Sequence, residues 1–296
     1  MRAPAGTAEA AVSLAFRPRS PLLAPYVRSI GFDMGPELPT RHERIVPSGG
    51  VSLMINLHED EFRVYHGPEH AAVHRVGGAM LAGPRTRAIV IDTAEQRCVV
   101  TVSFTTGGAA PFFAEPLTEA RDLLVDLTDL WGRHGAALRE RLLAAPTPPQ
   151  AARLIEAALV ERAATAPAAQ AGDPDDATAA AVARAAAAFD RGASVSEVAG
   201  HLGLLPKRFT RMFAERTGLT PKRFSRLRRL QRLLGDVHDR VPAQGAVNWA
   251  EIAAAHGYFD QAHLINDFRA ITGITPAAYL AAVGDAPNHV PVARGP

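Results

Sequence analysis

Apolar residues in the first hundred positions come in short runs. VSLMINL (Val51–Leu57), EFRVY (Glu61–Tyr65), RAIVIDT (Arg87–Thr93) and CVVTVSF (Cys98–Phe104) are rich in β-branched and aromatic residues. Turn-forming stretches with glycine or proline, VPSGG, HGPEH and AGPRT, punctuate them. The pattern predicts strands, and an antiparallel sheet or small barrel, as far as about Val102. The period then changes. EARDLLVDLTDLWG, AALRERLLAA and PQAARLIEAALVERAA carry helical spacing, with Pro148-Pro149 between the last two. ATAPAAQAGDPDDA, Ala164 to Ala177, has almost nothing to bury and reads as a linker. Beyond it the chain turns helical, starting with ATAAAVARAAAAFDRG, for which Gly192 is a C-cap. The expected class is α+β. A β-rich, barrel-like domain with flanking helices spans 11–165, a linker 166–177, and an all-α domain 178–284.

The helical third contains a repeat, which decides the architecture. RFTRMFAERTGLTPKRF (Arg208–Phe224) and HLINDFRAITGITPAAY (His263–Tyr279) share a skeleton of Phe, Gly, an aliphatic residue and Thr-Pro. Upstream, VSEVAGHLG (Val195–Gly203) matches WAEIAAAHG (Trp249–Gly257). The offset is 54 residues at the start and 55 later, so the second copy carries one extra residue. Val195, Val198, Ala199 and Leu202 fall on one helical face, as do Trp249, Ile252, Ala253 and His256. Gly203 and Gly257 end a first helix, and Gly218 and Gly273 end a second. Thr-Pro then caps and starts a third. Each copy therefore reads as helix, turn, helix, cap, helix, with Glu197 and Glu251 as first-turn helix residues. Two copies are too few for a solenoid.

The polar face points to a partner. The second helix of copy one places Lys207, Arg208, Thr210 and Arg211 beside its apolar face, where arginine and lysine can donate to guanine edges in a major groove. A basic helix, PKRFSRLRRLQRLLGDVHD, follows. Phe224, Leu227 and Leu230 form its apolar stripe, with Arg223, Arg226, Arg228 and Arg229 around it for phosphate contacts and solvated surface. Charge sharpens this picture. Arg184 to Leu280 holds 14 Lys/Arg against 8 Asp/Glu, near +6, whereas the rest holds 18 against 22, near −4. A localised positive field suits a polyanion.

These residues carry a resemblance. The region from about Thr178 to Ala282 resembles the double helix-turn-helix DNA-binding domain of AraC/XylS-type transcriptional regulators, most clearly in EIAAAHGYFDQAHLINDFRAITGITPAAY. The resemblance implies two units joined by a long helix, Phe224 to Val237, each placing a recognition helix in successive major-groove segments of duplex DNA. It implies base-facing roles for Lys207, Thr210 and Arg211 in the first unit, and for Gln261, Ala262, Ile265 and Asn266 in the second. Asn266 stands where the family often has arginine, and Ala262 has no hydrogen-bonding side chain. The second unit is therefore expected to read bases less selectively. His263, near the helix start, is read as a packing or capping residue. Less specifically, RIVPSGGVSLMINL, GPRTRAIVI and FTTGGAAPFF resemble a sensory domain found before such units, with Thr105-Thr106 where relatives often carry Arg-Pro. The implied function is a sequence-specific transcription regulator modulated through its N-terminal domain. The implied partners are double-stranded DNA, a small-molecule effector, a second copy of the chain as homodimer and, for an activator, RNA polymerase. The alternative is a non-specific architectural DNA-binding protein.

Other chemistry finds little support. His66, His70 and His74 have i, i+4, i+8 spacing, but Gly67 and Pro68 interrupt any helix there. His42-Glu43 lacks the second histidine of a zinc protease motif. Cys98, the single cysteine, lies in an apolar strand and is read as an inert thiol. No nucleophile–base or acid–base constellation emerges, so no enzymatic activity, cofactor or metal is expected. MRAPAGTAEAAVSLAF lacks a signal-peptide core, and no uncharged apolar run reaches membrane-spanning length, so a cytoplasmic protein is expected.

Overall fold

The computed structural model describes residues 12–35, 42–66, 72–165, 174–240 and 247–292. In the first half it has strands β1 (Val12–Phe16), β2 (Val27–Met34), β3 (His42–Ile45), β4 (Ser52–Asn56) and β5 (Glu61–His66). After them come β6 (Ala72–Gly77), β7 (Ala79–Ala82), β8 (Ile89–Asp92), β9 (Cys98–Phe104) and β10 (Leu124–Asp126). Helices α1 (Leu127–Trp131), α2 (Arg133–Leu143) and α3 (Pro148–Thr165) follow. The second half holds α4 (Pro174–Asp190), α5 (Val195–His201), α6 (Pro206–Thr217), α7 (Pro221–Arg240), α8 (Trp249–Ala255), α9 (Gln261–Thr272) and α10 (Pro276–Ala282), then β11 (His289–Pro291). The expected α+β class holds: a β-rich domain precedes a helical one.

The strands form two antiparallel sheets, β1-β2-β9-β4-β7-β10 and β11-β3-β8-β5-β6. Alternation along β4 and β9 divides their side chains. Leu53, Ile55, Val100 and Val102 are fully buried on one face. They share a core with Leu127 and Trp131 of α1, Leu138 and Leu142 of α2, and Ile155 and Leu159 of α3. Burying each such side chain is worth roughly 1.5–3 kcal/mol, so the helices hold this face shut. The other face turns toward the second sheet, where Met80 and Val99 meet Phe62 and Val76.

Two expectations are corrected. EARDLLVDLTDLWG is not one helix. Asp122 takes a positive φ of 60°, and its carboxylate accepts bonds from the Thr86 amide (2.6 Å) and hydroxyl (2.7 Å). That kink frees Leu124–Asp126 to pair with the open edge of β7, and Asp126 then caps α1. The exposed sheet edge outweighed the helical period. The expected linker, 166–177, also overlaps α4, which begins at Pro174; residues 166–173 lie outside the described residues.

The helical half is one core. Val182 and Phe189 of α4, Phe209 and Phe213 of α6, Leu230 and Leu234 of α7, and Leu264 and Phe268 of α9 belong to a single buried cluster. The chain past α10 then returns to the first half. Tyr279 donates its hydroxyl to the Pro287 carbonyl at 2.9 Å, burial pushing its pKa up to about 12. β11 adds to the second sheet beside β3.

Candidate nucleic-acid interface

Each copy of the repeat folds as expected into two helices and a tight turn. In the first unit Ser194 and Glu197 form a reciprocal capping box at α5, and hydrogen bonding from Ser194 holds the Glu197 carboxyl below its usual range. In the second, Asn248 caps α8 and also bonds Glu251. Gly203 and Gly257, at φ 63° and 70°, make the turns. Thr217 and Thr272 are the buried ends of α6 and α9. Each hydroxyl donates to a carbonyl four residues back, at 2.7 Å to Phe213 and 2.8 Å to Phe268.

The N-terminal ends of α6 and α9 stand free of the core. Lys207, Arg208 and Arg211 are exposed and Thr210 is half-buried. Gln261, Ala262 and Asn266 are exposed, while Ile265 is half-buried and packs against the helical core. Arg223 is exposed at the start of α7. His263 behaves as read from the sequence. Its ring lies edge-on to Tyr258, and its Nδ1 accepts from the Phe259 amide at 3.3 Å. Its own amide donates to the N-cap Asp260.

Arg226, Arg228, Arg229 and Arg232 of α7 are ties within the protein. Arg226 bonds Asp267 of α9, and Arg228 bonds Asp190 of α4. Arg229 lies 5.1 Å over the Tyr258 ring. Arg232 donates to the Phe189 carbonyl at 2.6 Å. Asp267 is the centre of one such tie, since it also accepts from the Tyr258 hydroxyl at 3.3 Å. Burial, with that carboxylate second, raises the Tyr258 pKa. Sequence reasoning missed Asp267. A carboxylate inside an apolar helical stripe was the available signal.

The β-rich domain grips the C-terminal ends of α6 and α9. The Ala88 amide donates to the Ile271 carbonyl at 2.7 Å, and Arg44 donates to the Thr272 carbonyl at 3.2 Å. At the end of α6, Gly218 has φ 75°, and a Cβ there would stand 2.5 Å from both the Leu117 carbonyl oxygen and Pro84. Only glycine permits that approach.

Between the two sheets lies a cavity of about 520 Å³, within the usual range for small-molecule sites. A row of small side chains leaves room for it: Ser103, Ser52 and Ala82 are register partners across β9, β4 and β7. Arg85 also lines it, with its Nε buried and lacking a hydrogen-bond partner among the described residues. The loop Val46–Gly50 forms one wall and touches the helical domain as well. Gln231 of α7 donates to the Pro47 carbonyl at 3.0 Å, and Arg228 to that of Ser48 at 3.4 Å. The Val46 amide donates to Asn288 at 2.9 Å. Cys98 is half-buried, and burial raises its thiol pKa. His66 ends β5 and His74 lies in β6 opposite Val64; His70 lies outside the described residues.

Residues 198–282 match a family described as a helix-turn-helix domain. The C-terminal domain therefore contains a helix-turn-helix domain. Residues 15–126 match a family described as a domain of unknown function (DUF6597). No curated protein matches the chain. Solved structures of ToxT from Vibrio cholerae align at 10% identity. One covers 86% of this chain and 93% of that one, with a TM-score of 0.37. Another, with an unsaturated fatty acid bound, covers 81% and 91%, with a TM-score of 0.39. Among the described residues no helix is long and apolar enough to cross a membrane. The helix-turn-helix domain presents the exposed N-terminal ends of α6 and α9 from one packed body.

Proposed function

We propose that this chain is a sequence-specific transcription regulator that binds duplex DNA through both helix-turn-helix units. The N-termini of α6 and α9 enter successive major-groove segments, about 10 bp apart. Lys207, Arg208, Thr210 and Arg211 contact the first segment, and Gln261, Ala262, Ile265 and Asn266 the second. Arg223 contacts phosphate. The observation that carries the reading is the asymmetry of the recognition helices. Their N-terminal ends are exposed, with basic side chains on α6, whereas their C-terminal ends are docked on the β-rich domain.

That docking supports a sensing role for the β-rich domain. A molecule in the inter-sheet cavity presses on Val46–Gly50, the loop that also seats α7. Its binding energy can therefore bias the relative setting of the two units.

The test is selection of the full chain on random duplex DNA, followed by salt titration. The expected product is a split site of two boxes about 10 bp apart, with affinity falling as salt rises. Salt-sensitive binding without any enriched sequence would replace this reading with the architectural one.

A further inference from the structure

The turn before each recognition helix exposes an apolar side chain that the fold does not use. Leu205 is 76% exposed and Phe259 is 92% exposed. The two are equivalent. They follow Leu204 and Tyr258, which turn into the helical core at the 54-residue offset. The extra residue of the second unit comes next, as Asp260.

Both positions contradict local preference. Leu205 is the N-cap of α6, where Ser, Thr, Asp or Asn would accept a backbone N–H, and it makes no cap bond. In the second unit Asp260 takes the N-cap, and Phe259 precedes it. An apolar residue there commonly folds back on the fourth helical residue. That residue is Leu264, fully buried, and Phe259 stays in solvent. Exposed apolar surface is unfavourable in water. An exposed apolar side chain at the same turn in both copies points to a partner outside the chain.

The surroundings select the partner. Lys207, Arg208 and Arg211 are exposed beside Leu205 on the first two turns of α6, which suits a polyanion. Residues at the start of a recognition helix reach base edges. The apolar group on those edges is the thymine 5-methyl. We propose that Leu205 and Phe259 are base-contacting residues that read thymine 5-methyl groups, one in each box. This rests on the DNA-binding reading and extends it. The second unit, with Ala262 in place of a donor, selects its box largely by apolar contact.

The full chain is titrated by fluorescence anisotropy against its selected duplex. Each thymine in turn is replaced by deoxyuridine, which removes only the methyl group. The wild-type chain loses about fourfold in affinity at one thymine per box, the worth of one buried methyl. Phe259→Ala loses at least as much on the thymine duplex and nothing further when the second-box thymine becomes uracil. Leu205→Ala does the same for the first box, and each variant keeps its sensitivity at the other. Phe259→Leu restores part of the loss. Unchanged circular dichroism establishes that the variants fold. Three results would overturn the inference: wild-type affinity in Phe259→Ala, alanine and uracil losses that simply multiply, or an equal loss on random duplex. The second and third would make Phe259 a contact to sugar and phosphate, and the first would leave it to a protein partner. A wild-type chain that binds no duplex removes the DNA-binding reading itself, and this inference with it.

Discussion

The first helix-turn-helix unit and the second share a backbone and differ in surface chemistry. At a 55-residue offset, Lys207 answers Ala262, Arg208 answers His263, Thr210 answers Ile265 and Arg211 answers Asn266. At three of these four positions the first unit is basic where the second is apolar or neutral. The interior differs in the opposite sense. Met212, half-buried against the core, answers Asp267, which is buried and tied to Arg226. Phe213 sits among aromatic rings, 5.8 Å from Phe189 and 5.2 Å from Phe224. Phe268 has Tyr279 at 5.6 Å. A duplicated scaffold can therefore hold two recognition helices alike while assigning them unequal work. The first unit has the charge for strong, salt-dependent attraction, and the second is pinned by an ion pair to the helix that joins them.

The largest expected effect tests whether the two units share one core. Phe213→Ala and Phe268→Ala each remove a fully buried ring and should cost about 3–5 kcal/mol in denaturant unfolding. A loss below about 1 kcal/mol for either one would break the equivalence. Next is the tie that only the second unit has. Arg226→Ala leaves Asp267 buried without its cation and should cost about 1–3 kcal/mol, less than a fully buried pair because Arg226 is 45% exposed. Arg226→Ala combined with Asp267→Met, the residue of the first unit, should recover much of that loss.

On DNA, Arg211→Ala should cost about 1–3 kcal/mol on the selected site and less on random duplex. Asn266→Ala should cost less than Arg211→Ala, and Asn266→Arg should tighten binding at the second box. Equal effects of Arg211→Ala on both DNAs would demote that residue to a phosphate contact. Thr217→Val and Thr272→Val should each cost about 1 kcal/mol, since each removes the same buried hydrogen bonds. The smallest effect concerns Glu197. Its carboxyl is held below the usual range by Ser194, so its contribution is present above that range and fades as pH falls through the lowered pKa. The melting-temperature difference between wild type and Glu197→Gln should be present at neutral pH and vanish in acid.

Much of this was readable from the chain. Strands β4, β5, β8 and β9 follow from short runs of β-branched and aromatic residues, because their side chains meet cores on one or both faces. The recognition helices follow from the repeat, since Gly218, Gly273 and the Thr-Pro caps each enforce a stop and a start. β10 did not follow, because Leu124–Asp126 sits in a helical period and pairs only when β7 offers an edge. Nor did the arginine ties. Arg226 and Arg223 look alike in a basic helix, and only the position of Asp267 makes Arg226 a strut.

By itself the sequence determined the β-to-α order, the duplication and the exposed ends of both recognition helices. Local rules suffice there: apolar period, capping residues and glycine at positive φ act within a few residues of each other. The tertiary structure decided how the halves join. Val46–Gly50 became both cavity wall and seat for α7, and residues 289–291 crossed back to extend a sheet. Those contacts link residues nearly 250 positions apart, as between His289 and Glu43. Hydrogen-bonding groups on a sheet edge or in a loop carry no local signal of the partner that will satisfy them.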